Sequence, residues 1–374
     1  MRVIHRSAVA AFAAALLATS LAACGPEEEA DAAANPSASA TDDKPDLQGL
    51  PSLEDLKKWK DGGWRNWDDW ADKAAEFVNP VIENLWQPER MTKAKQPDVS
   101  LRTQSNLDAE RSEAPPPVAD VKEVQRPYHK HMAPIGKIFF DSPKGPMVCS
   151  GTVVKDPANP GRSNLVWTAG HCVHGGRDGG WMRNIIFVPS FNDNGVPAEQ
   201  IETSGPRNVA PYGRWWATEA ATSGEWIKNG TQQGNPAYAY DYAVLRVKPE
   251  NGGTKSLEET VGAAVPIWFN GPRSEQYRGM SVYGYPADRP FDGSKMMTCT
   301  SPVTPMTWPG TPSMHRGGCP MTGGSSGGGW FATNERGETV LVSHTSLVAY
   351  DRTFSVGPYL GTGAEKVFQA LSRA

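Results

Sequence analysis

Thr322-Gly323-Gly324-Ser325-Ser326-Gly327-Gly328-Gly329-Trp330 sets two serines among five glycines. Glycine lets a backbone turn its N–H groups inward with no Cβ in the way. Such N–H groups can hold a developing oxyanion beside a serine nucleophile. Alone, a run like this reads as a plain loop; what changes the reading lies upstream. A serine hydroxyl needs a base, and Val166-Trp167-Thr168-Ala169-Gly170-His171-Cys172 is an apolar stretch ending in a histidine. An imidazole needs an orienting carboxylate, and Asp241 opens the apolar stretch Asp241-Tyr242-Ala243-Val244-Leu245-Arg246-Val247. Histidine, aspartate and serine in these settings are the parts of an acyl-transfer site.

The three stretches, in the order His, Asp, Ser, resemble the chymotrypsin/trypsin-like serine peptidases, over roughly Pro134 to the C-terminus. That family carries a TAGHC motif at its histidine, a D-[IY]-A-[LV]-L motif at its aspartate and G-D-S-G-G at its serine. The form MTGGSSGG looks like the bacterial glutamyl endopeptidase-like branch. The resemblance implies an all-β fold of two six-stranded antiparallel barrels with a C-terminal helix and the site between the barrels. It implies Ser326 as nucleophile, His171 as general base and acid, Asp241 as the orienting carboxylate, and the N–H groups of Gly324 and Ser326 as oxyanion hole. Ser325 is the rival nucleophile, and the family registry, serine just before Gly-Gly, favours Ser326. His174 is the rival base, but its Gly175-Gly176 neighbours suggest a loop.

The chain departs from the trypsin pattern at three positions. Ser325 stands where those enzymes keep the Asp that pairs with a newly cut N-terminus. Gly329 replaces a usual Pro. Pro320 takes the place of the Asp that binds Arg or Lys, which speaks against a basic cleavage preference. His344 falls near the pocket wall of the resembling branch, where glutamyl endopeptidases use a histidine, and Thr322 is its candidate helper. The bland reading of His344 is a strand residue facing solvent.

These side chains need strands to hold them. Short apolar runs broken by Gly and Pro predict strands over 135–140, 147–154, 164–168, 185–189, 242–247, 265–269, 281–285, 328–332 and 339–346. Asn334-Glu335-Arg336-Gly337 reads as a hairpin turn, and 364–371 has helical spacing. With 38 Gly and 32 Pro in 374 residues, a loop-rich β protein fits the composition. A formal charge of −4 argues against a nucleic-acid partner.

Residues 1–23 read as a lipoprotein signal peptide. Arg2 and Arg6 form the positive end, Ala8 to Ala18 the short apolar core, and Leu21-Ala22-Ala23-Cys24 resembles a lipobox. An ordinary secretory signal is the alternative. Cleavage there would put lipid on Cys24 and the chain at the cell envelope, on the outer face of the cytoplasmic membrane. Of five cysteines, this leaves Cys149, Cys172, Cys299 and Cys319, enough for two disulfides. The resemblance pairs Cys149 with Cys172 beside the histidine, leaving Cys299 with Cys319; other pairings stay open. No CxxC metal motif is present, and neither a metal nor a cofactor is implied.

Residues 24–47 read as a disordered tether, being mostly Ala, Ser, Asp, Glu and Pro. Residues 48–92 hold Trp59, Trp64, Trp67, Trp70 and Trp86, with Trp67, Trp70, Ala71, Ala74, Phe77 and Val78 on one helical face. Two readings compete: a pro-region packing its aromatics on the peptidase domain, and a ligand-binding module with exposed Trp. Residues 93–125, with Pro115-Pro116-Pro117, read as a linker, and 126–374 as the peptidase domain. The His129-x-His131 pair reads as surface chance. The expected partners are a protein or peptide substrate and the membrane through Cys24. Gly324-x-Ser326-x-Gly328 also fits an α/β-hydrolase elbow. That fold needs a later carboxylate and histidine and βαβ alternation; only His344 follows, within a strand run. A binding scaffold that keeps a peptidase fold without activity is the remaining alternative.

Overall fold

The computed structural model describes residues 52–67, 77–96, 100–101, 113–231 and 234–372. The signal peptide, Cys24, the tether and the middle of the Trp-rich stretch, including Trp70, lie outside these residues.

Two short strands precede the barrels: β1 (Ser100–Leu101) and β2 (Lys122–Glu123). Six strands then close a barrel: β3 (Ile135–Ser142), β4 (Gly145–Val154), β5 (Leu165–Thr168), β6 (Arg183–Pro189), β7 (Trp215–Thr222) and β8 (Ala243–Pro249). Their order around the barrel is β3-β4-β5-β8-β7-β6, with antiparallel neighbours. Strands β3, β5 and β6 are buried along their whole length, because their outer faces lie under other segments. They therefore read as largely apolar rather than alternating runs, with Lys137 and Asp141 in β3 and Arg183 and Asn184 in β6 as buried polar exceptions.

The second barrel uses β9 (Met280–Gly284), β10 (Met297–Ser301), β11 (Val303–Met306), β12 (Met314–Gly317), β13 (Gly329–Thr333), β14 (Thr339–His344), β15 (Leu347–Ala349) and β16 (Ser355–Gly357). They form two sheets, ordered β14-β13-β9-β10-β2 and β1-β15-β16-β12-β11. Pro302 separates β10 from β11, and Thr345-Ser346 separates β14 from β15. The chain thus passes from one sheet to the other at both places, and β9, β10–β11, β12, β13, β14–β15 and β16 make up the six strands of the second barrel. This is the two-barrel, chymotrypsin-like fold. The helix Thr362–Leu371 returns to the first barrel, where the Arg246 guanidinium donates to the Leu371 carbonyl.

Val265–Phe269 does not form the expected strand. Pro266 has no N–H to give a ladder. The segment makes only single bridges, Val265 to Val154 and Ile267 to Leu341, and joins the barrels. Strand β7 carries Thr218, Glu219 and Thr222 among alanines, so its apolar signal is weak.

The described part of residues 52–96 packs on the first barrel. Trp59, Trp64 and Trp86 are buried. The Trp86 indole donates to the Asn184 carbonyl at 2.7 Å and the Trp59 indole to Asn184 Oδ1 at 3.1 Å. The span read as a linker also enters the fold: β2 pairs with β10, and the Ala119 N–H donates to the Gly318 carbonyl at 2.7 Å.

Candidate active site

His171 stands on a one-turn 3-10 segment, Gly170–Cys172, directly after β5. Asp241 ends the 3-10 segment Pro236–Tyr240, just before β8. β5 and β8 are paired, Thr168 opposite Ala243, so the two turns emerge side by side. The Asp241 carboxylate accepts twice from His171: from the backbone N–H at 2.7 Å and from Nδ1 at 2.8 Å. An ionised carboxylate only accepts, so Nδ1 carries the proton and Nε2 is left as the basic nitrogen. Nε2 is buried and has no hydrogen-bond partner among the described residues. The Ser346 hydroxyl also donates to Asp241 Oδ2. Burial works to raise the Asp241 carboxyl, but the His171 charge and the hydrogen bonds from His171 and Ser346 outweigh it. The pKa lies below the ordinary aspartate value.

Ser326 lies on the loop between Gly323 and β13, and two bonds join its backbone to the first barrel. The Ser150 N–H donates to the Ser326 carbonyl at 2.7 Å, and Ser150 Oγ donates to the Gly324 carbonyl at 2.9 Å. Cys172, next to His171, has Sγ 3.9 Å from the Ser326 carbonyl oxygen. The loop therefore sits against the histidine turn. Gly324 and Gly327 have φ of +93° and +79°. A Cβ on Gly327 would fall 2.0 Å from Thr168 Oγ1, so only glycine allows this approach. The N–H groups of Gly324 and Ser326 donate to no acceptor among the described residues.

Ser325, the rival serine, is wholly buried, and its hydroxyl donates to the Thr322 carbonyl at 2.6 Å. His174 is also buried, and its Nδ1 accepts from the Gly176 N–H. Burial pushes its pKa down to about 4. The base reading therefore stays with His171, which alone of the two is bonded to Asp241.

The two residues expected at a substrate pocket do not serve one. His344 is fully buried: its Nδ1 accepts from the Trp167 indole at 3.0 Å and its Nε2 meets the Asp241 carbonyl at 2.8 Å. Both ring nitrogens are engaged behind Asp241, and burial lowers its pKa to about 4. Thr322 is buried too, and its Oγ1 bonds both the N–H and the C=O of Asp288. It braces the serine loop from the side.

Disulfides join Cys149 to Cys172 and Cys299 to Cys319. Ligand atoms of Cys149, His171 and Cys172 lie within 4.8 Å of one another, but the disulfide consumes both thiols as ligands. Sequence reasoning missed Ser346 and Ser150. Their single hydroxyls carry no motif; only the fold shows what they touch.

A histidine–aspartate pair from one barrel beside a glycine-cradled serine from the other defines the serine-protease class. No family model and no curated protein matches the chain. Among solved structures, a thermostable serine protease from an extremophilic microorganism is 33% identical with a TM-score of 0.51, over 64% of this chain and 97% of that one. The protease Anisep from Arthrobacter nicotinovorans is 29% identical with a TM-score of 0.51, over 66% and 97%. A Glu endopeptidase structure is 17% identical with a TM-score of 0.48, over 68% and 98%. The chain belongs to the bacterial trypsin/chymotrypsin-like serine proteases.

Proposed function

We propose that the chain is a serine endopeptidase working through His171, Asp241 and Ser326 by an acyl-enzyme. The observation that carries this is His171: Nδ1 is fixed on Asp241, and Nε2 is left bare beside the Ser326 loop. Ser326 Oγ attacks the peptide carbonyl carbon as its proton passes to Nε2. The oxyanion takes the N–H groups of Gly324 and Ser326. The imidazolium, stabilised by Asp241, gives its proton to the leaving amine, and the acyl ester remains on Oγ. Water then repeats the attack with His171 as base, releasing the acid and restoring Ser326.

Ser325 bears on activation. A buried hydroxyl bonded to the Thr322 carbonyl shapes the serine loop from within. This supports a loop that needs no new N-terminus to form. Pro320 supports a preference other than Arg or Lys.

The test is labelling of the full chain with a fluorophosphonate, together with casein cleavage, in wild type and Ser326→Ala. Labelling and cleavage that vanish in the variant are expected. A wild-type chain that neither labels nor cleaves would leave the binding-scaffold reading in its place. We further propose envelope anchoring through lipid on Cys24, supported by the lipobox-like Leu21–Cys24 run. Palmitate labelling in the native host and membrane fractionation test it, with Cys24→Ser expected to move the chain to the soluble fraction.

A further inference from the structure

We propose that residues 113–123 are a strap that positions the serine loop in the uncut chain, with the hydrogen bond from the Ala119 N–H to the Gly318 carbonyl as its working contact. This rests on the peptidase reading above and adds how that site is held ready.

The strap crosses the strand and turn that lead to Ser326. At its start, the buried Arg316 guanidinium of β12 donates to the Glu113 carbonyl. Three successive prolines, Pro115 to Pro117, fix φ at each, so the strap comes to Gly318 stiff. Pro116 is buried, and the Pro117 carbonyl lies against Gly318, where a Cβ would fall 2.0 Å from that oxygen. The Ala119 N–H then donates to the Gly318 carbonyl at 2.7 Å. Ala119 and Val121 pack on the core that holds Cys319, Met321 and Trp330. At the far end, β2 pairs with β10, and the Val124 N–H donates to the Met296 carbonyl at 2.9 Å.

Gly318 is where this hold reaches the serine. Its N–H donates to Ser301 Oγ at 2.8 Å. Gly318 is buried, and among the described residues its carbonyl accepts only from Ala119. From there to Ser326 the chain has little slack. Cys319 is bridged to Cys299, and its carbonyl accepts from the Ser355 hydroxyl at 2.7 Å and the Met321 N–H at 2.8 Å. Thr322 is tied to Asp288, and its carbonyl accepts both the N–H and the hydroxyl of Ser325. A shift at Gly318 is therefore carried to Gly324 and Ser326, whose N–H groups take the oxyanion.

Ser325 offers no charge to a cut amine end, since its neutral hydroxyl is turned on the Thr322 carbonyl. The order that a cut end could bring comes here from chain that arrives uncut, runs on through the buried Tyr128 and enters β3. A cut inside the strap would loosen Gly318, so proteolysis there turns the peptidase off.

The wild-type full chain is labelled with a fluorophosphonate, and the labelled species is weighed intact by mass spectrometry. Label is expected on chains that retain residues 113–123. Ala119→Pro removes the N–H, and Gly318→Ala pushes the strap off through the Pro117 carbonyl while keeping every N–H. Each is expected to lower kcat and the labelling rate roughly tenfold, because a buried carbonyl loses its donor. KM should stay within about twofold, because the oxyanion forms only in the transition state. Ala119→Gly keeps the N–H and should stay within about twofold of wild type in kcat. If one variant fails to fold by circular dichroism, the other and the mass measurement decide. Label found only on chains that begin after Glu123, or wild-type labelling rates in the folded variants, overturns the proposal. So does a fall in Ala119→Gly as deep as in Ala119→Pro. Absence of label on every form of the wild-type chain strikes the peptidase reading instead, so the two failures are distinct.

Discussion

At the scale of single residues, the site depends on which hydrogen bonds leave which atoms free. Asp241 takes both His171 bonds and the Ser346 hydroxyl, while its backbone carbonyl meets His344. A carboxylate held in this way fixes one histidine tautomer. Asp241→Asn keeps the size but presents an amide N–H toward Nδ1 or loses the charge that steadies the imidazolium. A fall in kcat of roughly 10,000-fold is expected with the fold intact, measured by steady-state kinetics beside circular dichroism. Ser325 tests the loop. Removing one buried hydroxyl that donates to Thr322 costs about 1 kcal/mol of loop order, so Ser325→Ala should lower kcat/KM about fivefold while Ser326 still labels. A Ser325→Ala chain with unaltered kinetics would mean that Thr322 and Ser150 hold the loop without it.

At the scale of elements, the segment before the barrels behaves as a brace on the first barrel. The Asn79 amide donates to the Ile185 carbonyl at 3.0 Å and the Ala217 carbonyl at 2.8 Å, and its Oδ1 accepts from the Ile185 N–H at 2.9 Å. Ile185 lies in β6 and Ala217 in β7, so one side chain stitches two neighbouring strands. Arg90 adds an ion pair to the buried Asp141 of β3 at 2.7 Å and stacks 4.0 Å over the Trp86 ring. Asn79→Ala strands three buried backbone groups. A loss of about 3 kcal/mol is expected, read as a lower urea midpoint with little change in slope. A change below about 0.5 kcal/mol would show that the segment is not stitched to β6 and β7 in solution. The buried Trp59, Trp64 and Trp86 make a packing face, so the exposed-Trp binding module has no support at these three rings.

At the scale of the molecule, Lys137 couples the barrels. It lies in β3, is nearly buried, and its Nζ donates to the Gly293 carbonyl at 2.7 Å. Gly293 belongs to the loop after β9, whose Ala287 and Asp288 N–H groups bond Gly323 and Thr322 beside the serine. Burial lowers the Lys137 pKa to about 7, against a smaller opposing pull from Asp292. An unfolded lysine titrates near 10.4. Between about pH 7 and pH 10 the unfolded chain therefore binds the extra proton, and stability rises with pH through that window. The melting temperature of wild type minus that of Lys137→Met should increase from pH 7 to pH 10. A flat difference would mean that Lys137 titrates alike in both states.

The sequence by itself determined the chemistry and most of the strands. His171, Asp241 and Ser326 sit in local patterns, and β3, β4, β5, β6 and β8 show in apolar runs because most of their residues are buried. The serine loop was legible in its glycines, since only they adopt its positive φ. Tertiary structure decided what depends on residues far apart in the chain. It set His344 against Trp167 and Asp241 rather than in a pocket, since both ring nitrogens are taken up by partners far away in the chain. It gave Ser346 and Ser150 their partners across 105 and 174 residues, which no spacing rule connects. It paired β1 with β15, strands too short to carry a sequence signal.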